Sequence, residues 1–231
     1  MSPDPGPTGI HSASTGASSR EDEPSRDCPL CPRLAAFREQ NRSREPGWFN
    51  APVASFGNAS ARLLIVGLAP GLQGANRTGR PFTGDYAGDL LYATLLEYGF
   101  AQGRYDARPD DGLQLVDCRI SNAVRCVPPQ NKPLPAEIGT CRTFLAATLS
   151  GMPNLRAVVA LGRIAHDSAV KALGLRAVEA PFGHGVSHQT STIRLFDSYH
   201  CSRYNTNTRV LTPDMFRNVF ANVRQYLAKA K

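Results

Sequence analysis

Leu63-Leu64-Ile65-Val66 and Ala157-Val158-Val159-Ala160-Leu161 contain no polar residue. A strand with one wet face alternates apolar and polar positions. A strand that is apolar throughout is covered on both sides, as in a parallel sheet with helices above and below it. We read these runs as strands over Arg62–Leu68 and Arg156–Leu161. Cys118–Cys126, with Ile120, Ala123 and Val124, and Thr192–Tyr199, with Ile193, Leu195 and Phe196, read as two more. Helical patterns lie between them. Leu91, Leu95 and Tyr98 repeat at i, i+4, i+7 before Gly99. Ile138, Cys141, Leu145 and Leu149 share a face behind Pro135, and Ile164 to Leu173 runs to Gly174. A last helix opens at Thr212-Pro213-Asp214, an N-cap, an N1 proline and a first-turn acid. Its apolar stripe is Phe216, Val219, Phe220, Val223 and Leu227. This alternation predicts an α/β fold, a mostly parallel sheet between two helical layers.

Residues 1 to 26 are rich in Ser, Gly, Pro and acids. They bury too little surface to offset the entropy of ordering, which predicts a disordered tail. No second linker of this kind follows, so residues 27–231 read as one domain. No apolar stretch approaches the roughly 20 residues of a membrane helix, and no apolar leader is present. The first 27 residues carry five acids and two bases in a chain of net charge +7, so the rest carries +10. A basic folded body favours an anionic partner, with nucleic acid the usual one, although many soluble proteins are basic for solubility alone.

In such a fold the loops leaving the carboxyl ends of the strands build the site. The first runs Gly67-Leu68-Ala69-Pro70-Gly71 through Gly74-Ala75-Asn76-Arg77-Thr78-Gly79-Arg80-Pro81-Phe82. Its glycines let backbone approach a ligand, but it is neither a P-loop nor Gly-x-Gly-x-x-Gly. The second holds Asn122, whose amide presents a donor and an acceptor side by side, the complement of a pyrimidine edge. It reads equally as a turn residue. The third is Tyr199-His200-Cys201-Ser202. A His leaving a buried strand can donate to an oxygen that gains charge, or be structural. Of six cysteines, Cys28-x-x-Cys31 with Cys126 and Cys141 has spacing suited to a soft metal or an iron–sulfur cluster. Cys141 also fits an apolar helix face. Cys118 and Cys201 have no close cysteine partner and read as non-ligands.

Together these segments resemble the family 5 uracil-DNA glycosylases, the iron–sulfur type of bacteria and archaea. The resemblance rests on Cys28-Pro29-Leu30-Cys31-Pro32-Arg33-Leu34, Gly67-Leu68-Ala69-Pro70 and Gly74 through Asp85. It continues in Asp110-Asp111-Gly112-Leu113, Ala123 through Pro129, Asn131 through Pro135 and Phe182-Gly183-His184-Gly185. It ends in Ser198-Tyr199-His200, Asn205-Thr206-Asn207-Thr208 and Leu211-Thr212-Pro213, and so covers residues 28 to 228. It implies a three-layer α/β/α sandwich on a four-stranded parallel sheet. It also implies a [4Fe–4S] cluster on Cys28, Cys31, Cys126 and Cys141. One departure stands out: the family's His-Pro-Ser is His200-Cys201-Ser202 here. Loss of the φ-fixing proline leaves two outcomes open, a looser His200 turn or compensation nearby.

The reaction implied is hydrolysis of the bond between a damaged base and deoxyribose in double-stranded DNA, the opening step of base excision repair, after the nucleotide is flipped out. Gly67, Ala69 and Gly74 would shape the pocket, Phe82 would stack on the base, Asn122 would read its edge, and His200 would donate to the developing oxyanion. Asn76 is the first candidate to orient the water. Asp85 would supply charge, or would cap the helix before Tyr86. Gly74 stands where related glycosylases place a bulky acid, so a broad range is expected: uracil, 5-hydroxymethyluracil and hypoxanthine. Arg77, Arg80, Lys132, Arg203 and Arg209 are the phosphate-binding candidates. The setting expected is a cytoplasmic, nucleoid-associated prokaryotic monomer that hands its product to an AP endonuclease or a sliding clamp. The competing expectations are a catalytically weak damage-binding member of the fold and a zinc-stabilised nucleic-acid-binding protein.

Overall fold

The computed structural model describes residues 23–230. In chain order its elements are α1 (Pro32–Arg44), β1 (Phe56–Gly57), β2 (Leu63–Gly67), α2 (Ala75–Thr78), α3 (Tyr86–Glu97), β3 (Ala101–Gln102), β4 (Gln114–Leu115) and β5 (Cys118–Asn122). Then come α4 (Pro135–Ser150), β6 (Ala157–Leu161), α5 (Arg163–Ala172), β7 (Ser187–Gln189), β8 (Arg194–Ser198), α6 (Arg203–Asn207) and α7 (Pro213–Lys229). The sheet order is β1-β5-β2-β6-β8-β7. The inner four strands are mutually parallel, and they are the four expected ones. Two short antiparallel strands, β1 and β7, cover the edges and raise the count to six. At two and three residues they are too short for a period-2 signal. β3 and β4 form a separate two-stranded ribbon.

The apolar runs do what burial on both faces requires. Leu63, Ile65, Val159 and Phe196 pack with Leu91 and Leu95 of α3 and Phe216, Val219 and Phe220 of α7. Leu64, Val66, Val158, Ala160 and Leu195 face the other way, onto Leu145 and Leu149 of α4 and Ala165 and Ala169 of α5. Alternate residues of one strand thus serve two separate cores. At α7, Thr212 accepts from the Met215 N–H, as its sequence predicts. Two strand ends are corrected. β5 stops at Asn122, and Ala123 and Val124 continue only as single bonds to the Gly67 and Leu68 carbonyls. β8 starts at Arg194.

The tail expectation concerns residues 1–26, of which 1–22 lie outside the described residues. Its last four residues belong to the folded body. Glu23 Oε1 accepts from the Ser55 N–H at 3.0 Å, and Oε2 lies 3.1 Å from Arg125 Nη1. Arg125 is fully buried between β5 and α4, with Ser55 and Thr148 as its other partners. A buried guanidinium needs a counter-charge, and Glu23 supplies it. Among the described residues, no helix is long and apolar enough to cross a membrane.

Replacing Glu23 by Gln removes that counter-charge but not the side chain. Urea unfolding is expected to show a loss of about 2 kcal/mol, the scale of a hydrogen bond to a charged group, at unchanged slope.

Candidate active site

β2 and β5 end side by side, with Gly67 opposite Asn122. A Cβ on Gly67 would lie 2.4 Å from Asn122 Oδ1 and 2.6 Å from the Phe82 ring. Only glycine lets both side chains lean over the strand end. Phe82 itself has φ of 53°, the left-handed region that a bulky residue avoids. Its neighbours hold it there. Tyr92 Oη donates to the Pro81 carbonyl at 2.6 Å, and Tyr105 Oη to the Phe82 carbonyl at 3.2 Å. Arg80 makes a two-pronged pair with Asp111 at 2.8 and 2.7 Å.

A cavity of about 330 Å³ opens beside these groups. Of the expected residues, Ala69, Phe82, Asp85, Asn122, His200 and Arg203 line it; Tyr86, Asn131 and Ser202 were not foreseen. Asn122 Oδ1 is buried and, among the described residues, has no hydrogen-bond partner. Such an acceptor costs about 1–3 kcal/mol until something donates to it. His200 faces Phe82, ring centroids 6.1 Å apart and planes 29° from parallel. Burial pulls its pKa down to about 4, so at neutral pH it is an uncharged imidazole with one N–H to give. Of the two roles open for Asp85, the structure shows the helix cap. Asp85 caps α3 through the Gly88 N–H at 3.2 Å and still reaches the cavity. Burial raises its pKa, against the Gly88 N–H and with the help of Asp89.

The sequence profile of the uracil DNA glycosylase superfamily matches residues 54–224. A type-5 uracil-DNA glycosylase of Thermus thermophilus is 44% identical over 205 residues, 86% of this chain and 93% of the relative. One from Mycobacterium bovis is 40% identical over 86% of this chain and 77% of the relative. A third, from Pyrobaculum aerophilum, is 37% identical over 84% of this chain and 86% of the relative. The chain belongs to the uracil DNA glycosylase superfamily, in its type-5 branch.

For a type-5 glycosylase, three sequence expectations need correction. Asn76 is buried and gives its Nδ2–H to Asn50 Oδ1 at 2.9 Å, outside the cavity wall. It is not aimed at a water there. Gly74 does not leave room for a base, because its missing Cβ would sit 2.3 Å from Asp85 Oδ2. The space belongs to Asp85. Arg80 is 5% exposed, paired with Asp111 and stacked against Phe56, Tyr92 and Tyr105. It is a structural cation with nothing to offer a phosphate.

The other four candidate cations, Arg77, Lys132, Arg203 and Arg209, lie at the surface. Arg203 lines the cavity, its guanidinium 5.2 Å from the centre of the Tyr86 ring. Cys201 resolves the open question about the turn. It is fully buried, and its thiol donates to the Ala87 carbonyl at 3.4 Å. Asn205 Nδ2 holds the His200 carbonyl at 2.9 Å. These contacts anchor the turn where the family's proline would fix it.

Cys28, Cys31, Cys126 and Cys141 line one small cavity with Leu34, Val124 and Phe144. Among the described residues, no three His, Cys, Asp or Glu side chains are grouped to hold a single metal ion. The donors around the sulfurs nevertheless suit an anionic group. Arg38 is 4% exposed, gives Nη1 to the Cys28 carbonyl at 3.3 Å and lies 3.9 Å from Cys126 Sγ. Among the described residues its buried Nε has no hydrogen-bond partner, with Glu39 Oε1 3.8 Å away. The Arg125 N–H points at Cys141 Sγ at 3.3 Å. Burial pushes the Cys126 thiol up to about 12 and the Cys141 thiol up to about 11, so neither is a free thiolate nucleophile.

Arg80→Met leaves Asp111 buried and unpaired, and is expected to cost about 3–5 kcal/mol in chemical unfolding. The salt dependence of DNA affinity should keep its slope. Loss of a true phosphate contact would lower the slope by about 1.

Proposed function

We propose that this chain removes uracil from DNA by hydrolysing the N-glycosidic bond of a flipped nucleotide. The observation that carries the reading is the buried, unpartnered Asn122 Oδ1 in the cavity wall. Uracil presents a ring N–H beside a carbonyl oxygen. Asn122 can accept from the first and donate to the second. Phe82 lies where it can stack on the base, a contact worth about 1–3 kcal/mol. As the bond breaks, electrons move onto the base and positive charge builds on the sugar. Neutral His200 donates its N–H to the base oxygen that becomes anionic. The Asp85 carboxylate orients the attacking water and faces the charge on the sugar, in the place first assigned to Asn76. Water adds to the sugar carbon, the base leaves as an anion, and a proton is released. Arg203, with Arg77, Lys132 and Arg209, holds phosphates around the mouth.

A broader base range is part of the proposal. The cavity volume and the small side chain of Ala69 favour it, and hypoxanthine and 5-hydroxymethyluracil are the substrates to try. Cys28, Cys31, Cys126 and Cys141 would hold a [4Fe–4S] cluster. Such a cluster would join α1 to the segments on either side of Asn131, and its chemistry there is structural cross-linking. We further propose a monomer acting at the nucleoid, with hand-off of the abasic product to an AP endonuclease or a sliding clamp.

The test is single-turnover cleavage of a duplex with one U·G pair by wild type and Asn122→Ala. A fall of about a hundredfold or more, the scale for losing a group that meets developing charge, supports the reading. A wild type that binds the duplex but cuts nothing would leave a damage-binding protein. Asp85→Asn and Gly74→Ala should be impaired together, since the added Cβ displaces the carboxylate. An Asp85→Asn enzyme at full rate would remove Asp85 from the reaction. Cys126→Ser should lose iron, visible absorbance and thermal stability in one step.

A further inference from the structure

Among the buried titratable groups that the reaction does not use is His166 of α5, which is 1% exposed. Its Nδ1 lies 2.7 Å from Asp197 Oδ1, and its Nε2 lies 2.8 Å from the Ala180 carbonyl oxygen. A carboxylate and a carbonyl can only accept. A neutral imidazole has one N–H, so in that form one nitrogen lone pair would face an oxygen lone pair at under 3 Å. Only the imidazolium satisfies both contacts. Asp197 gives the same answer from the other side. Its side chain is fully buried, and among the described residues its ion-pair partners are two histidines, His166 and, at 3.6 Å, His188. His188 Nε2 already donates to the Pro181 carbonyl at 3.0 Å. The counter-charge for Asp197 therefore falls to His166.

We infer that His166 is a buried imidazolium that acts as a positioning residue for His200. The contacts run as a chain. Ala180 opens the loop into β7, and Asp197 Oδ2 takes the Gly183 N–H of that loop at 3.3 Å. Asp197 also pairs through its backbone with Gly185 and Val186, each at 2.9 Å. Between these anchors, His184 Nδ1 accepts the Tyr199 N–H at 3.1 Å, and the two rings stack at 5.0 Å. Tyr199 is the residue before His200. His166 thus pins both the loop and the strand that together aim the catalytic imidazole.

The charged groups around the ring agree with this. Asp197 approaches from β8 and Asp167 is its neighbour on α5. His188 of β7 is 6.0 Å away, and Arg163 of α5 lies beyond the Phe182 ring that meets His166 edge-on. Burial alone would lower the His166 pKa. The Asp197 hydrogen bond and charge, the Ala180 carbonyl and Asp167 outweigh it, and the net shift is upward. A raised pKa means that the pin is fully present below the ordinary histidine range. It is lost as pH rises through the folded value.

The ring itself provides the first test. Long-range proton–nitrogen correlation spectra of the full chain should show both His166 nitrogens protonated at neutral pH; a singly protonated ring overturns the inference. This measurement needs no activity, so it separates failure here from failure of the glycosylase reading. The second test is the pH profile of single-turnover uracil release. Wild type should slow on the alkaline side by about ten- to a hundredfold, the scale for a displaced catalytic group. Asp197→Asn weakens the hold on the His166 proton and should move that fall to lower pH without changing KM. An Asp197→Asn profile that coincides with wild type overturns the inference. If that variant does not fold, the wild-type spectrum decides alone.

Discussion

The buried ion pair between Arg80 and Asp111 is the constraint on which the base-binding side of the molecule depends. Its two parallel hydrogen bonds tie the loop after β2 to the segment that leads into β4. Arg80 holds the Asp111 carboxyl well below the ordinary carboxylate range, so the pair is charged at neutral pH. Two residues on, Phe82 sits in a backbone conformation that costs about 1–3 kcal/mol. Such strain persists only where the surroundings over-determine it. Here Tyr92, Tyr105 and Arg80 do so from three directions. The Phe82 ring is therefore held without any ligand, and a base stacked on it as proposed would meet no ordering cost there.

The parallel sheet supplies the rest of the geometry. β2, β5 and β8 all run the same way, so Ala69, Asn122 and His200 emerge at one edge although they lie far apart in the chain. Each group is then trimmed by local contacts. Gly67 makes room for Asn122 and Phe82, the α3 N-terminus takes Asp85, and the Cys201 thiol ties the His200 turn to Ala87 at the start of the same helix. Asp85 and His200 thus share a fixed frame.

The sheet was legible in sequence because all-apolar strands have one physical explanation. The edge strands β1 and β7 were not, being too short to show a period. Helix α1 was missed for a different reason. Its buried face is Leu34, Arg38 and Asn41, the right spacing but the wrong polarity for any hydropathy reading. At the site, the reading of the strands alone placed Asn122 and His200 at loop starts, whereas Phe82 was singled out only through the family resemblance; all of them, with Asp85, line the cavity. Asn76, Gly74 and Arg80 misled because a loop sequence does not say which way a side chain turns. Arg80 would have been suspected only by pairing it with Asp111, thirty-one residues on. Tyr86 carried no signal apart from following Asp85, and Asn131 belonged to a motif of the resemblance without a role assigned to it.

The seat of Glu23 bears on how the chain is made. Its partner Arg125 is synthesised about a hundred residues later, and Cys28 and Cys31 likewise precede the sulfurs they lie beside. The segment around Glu23 can take its place only once β5 and α4 are present. Until β5 and α4 have formed, it has no charge to neutralise and no surface to cover. Bringing together residues so far apart in the chain carries a loop-closure entropy cost. The superfamily profile begins at residue 54, yet contacts with the folded body begin at least thirty residues earlier. A fragment cut to the region of similarity would leave Arg119 and Arg125, which share the Glu23 carboxylate, as two like charges buried behind the same strand.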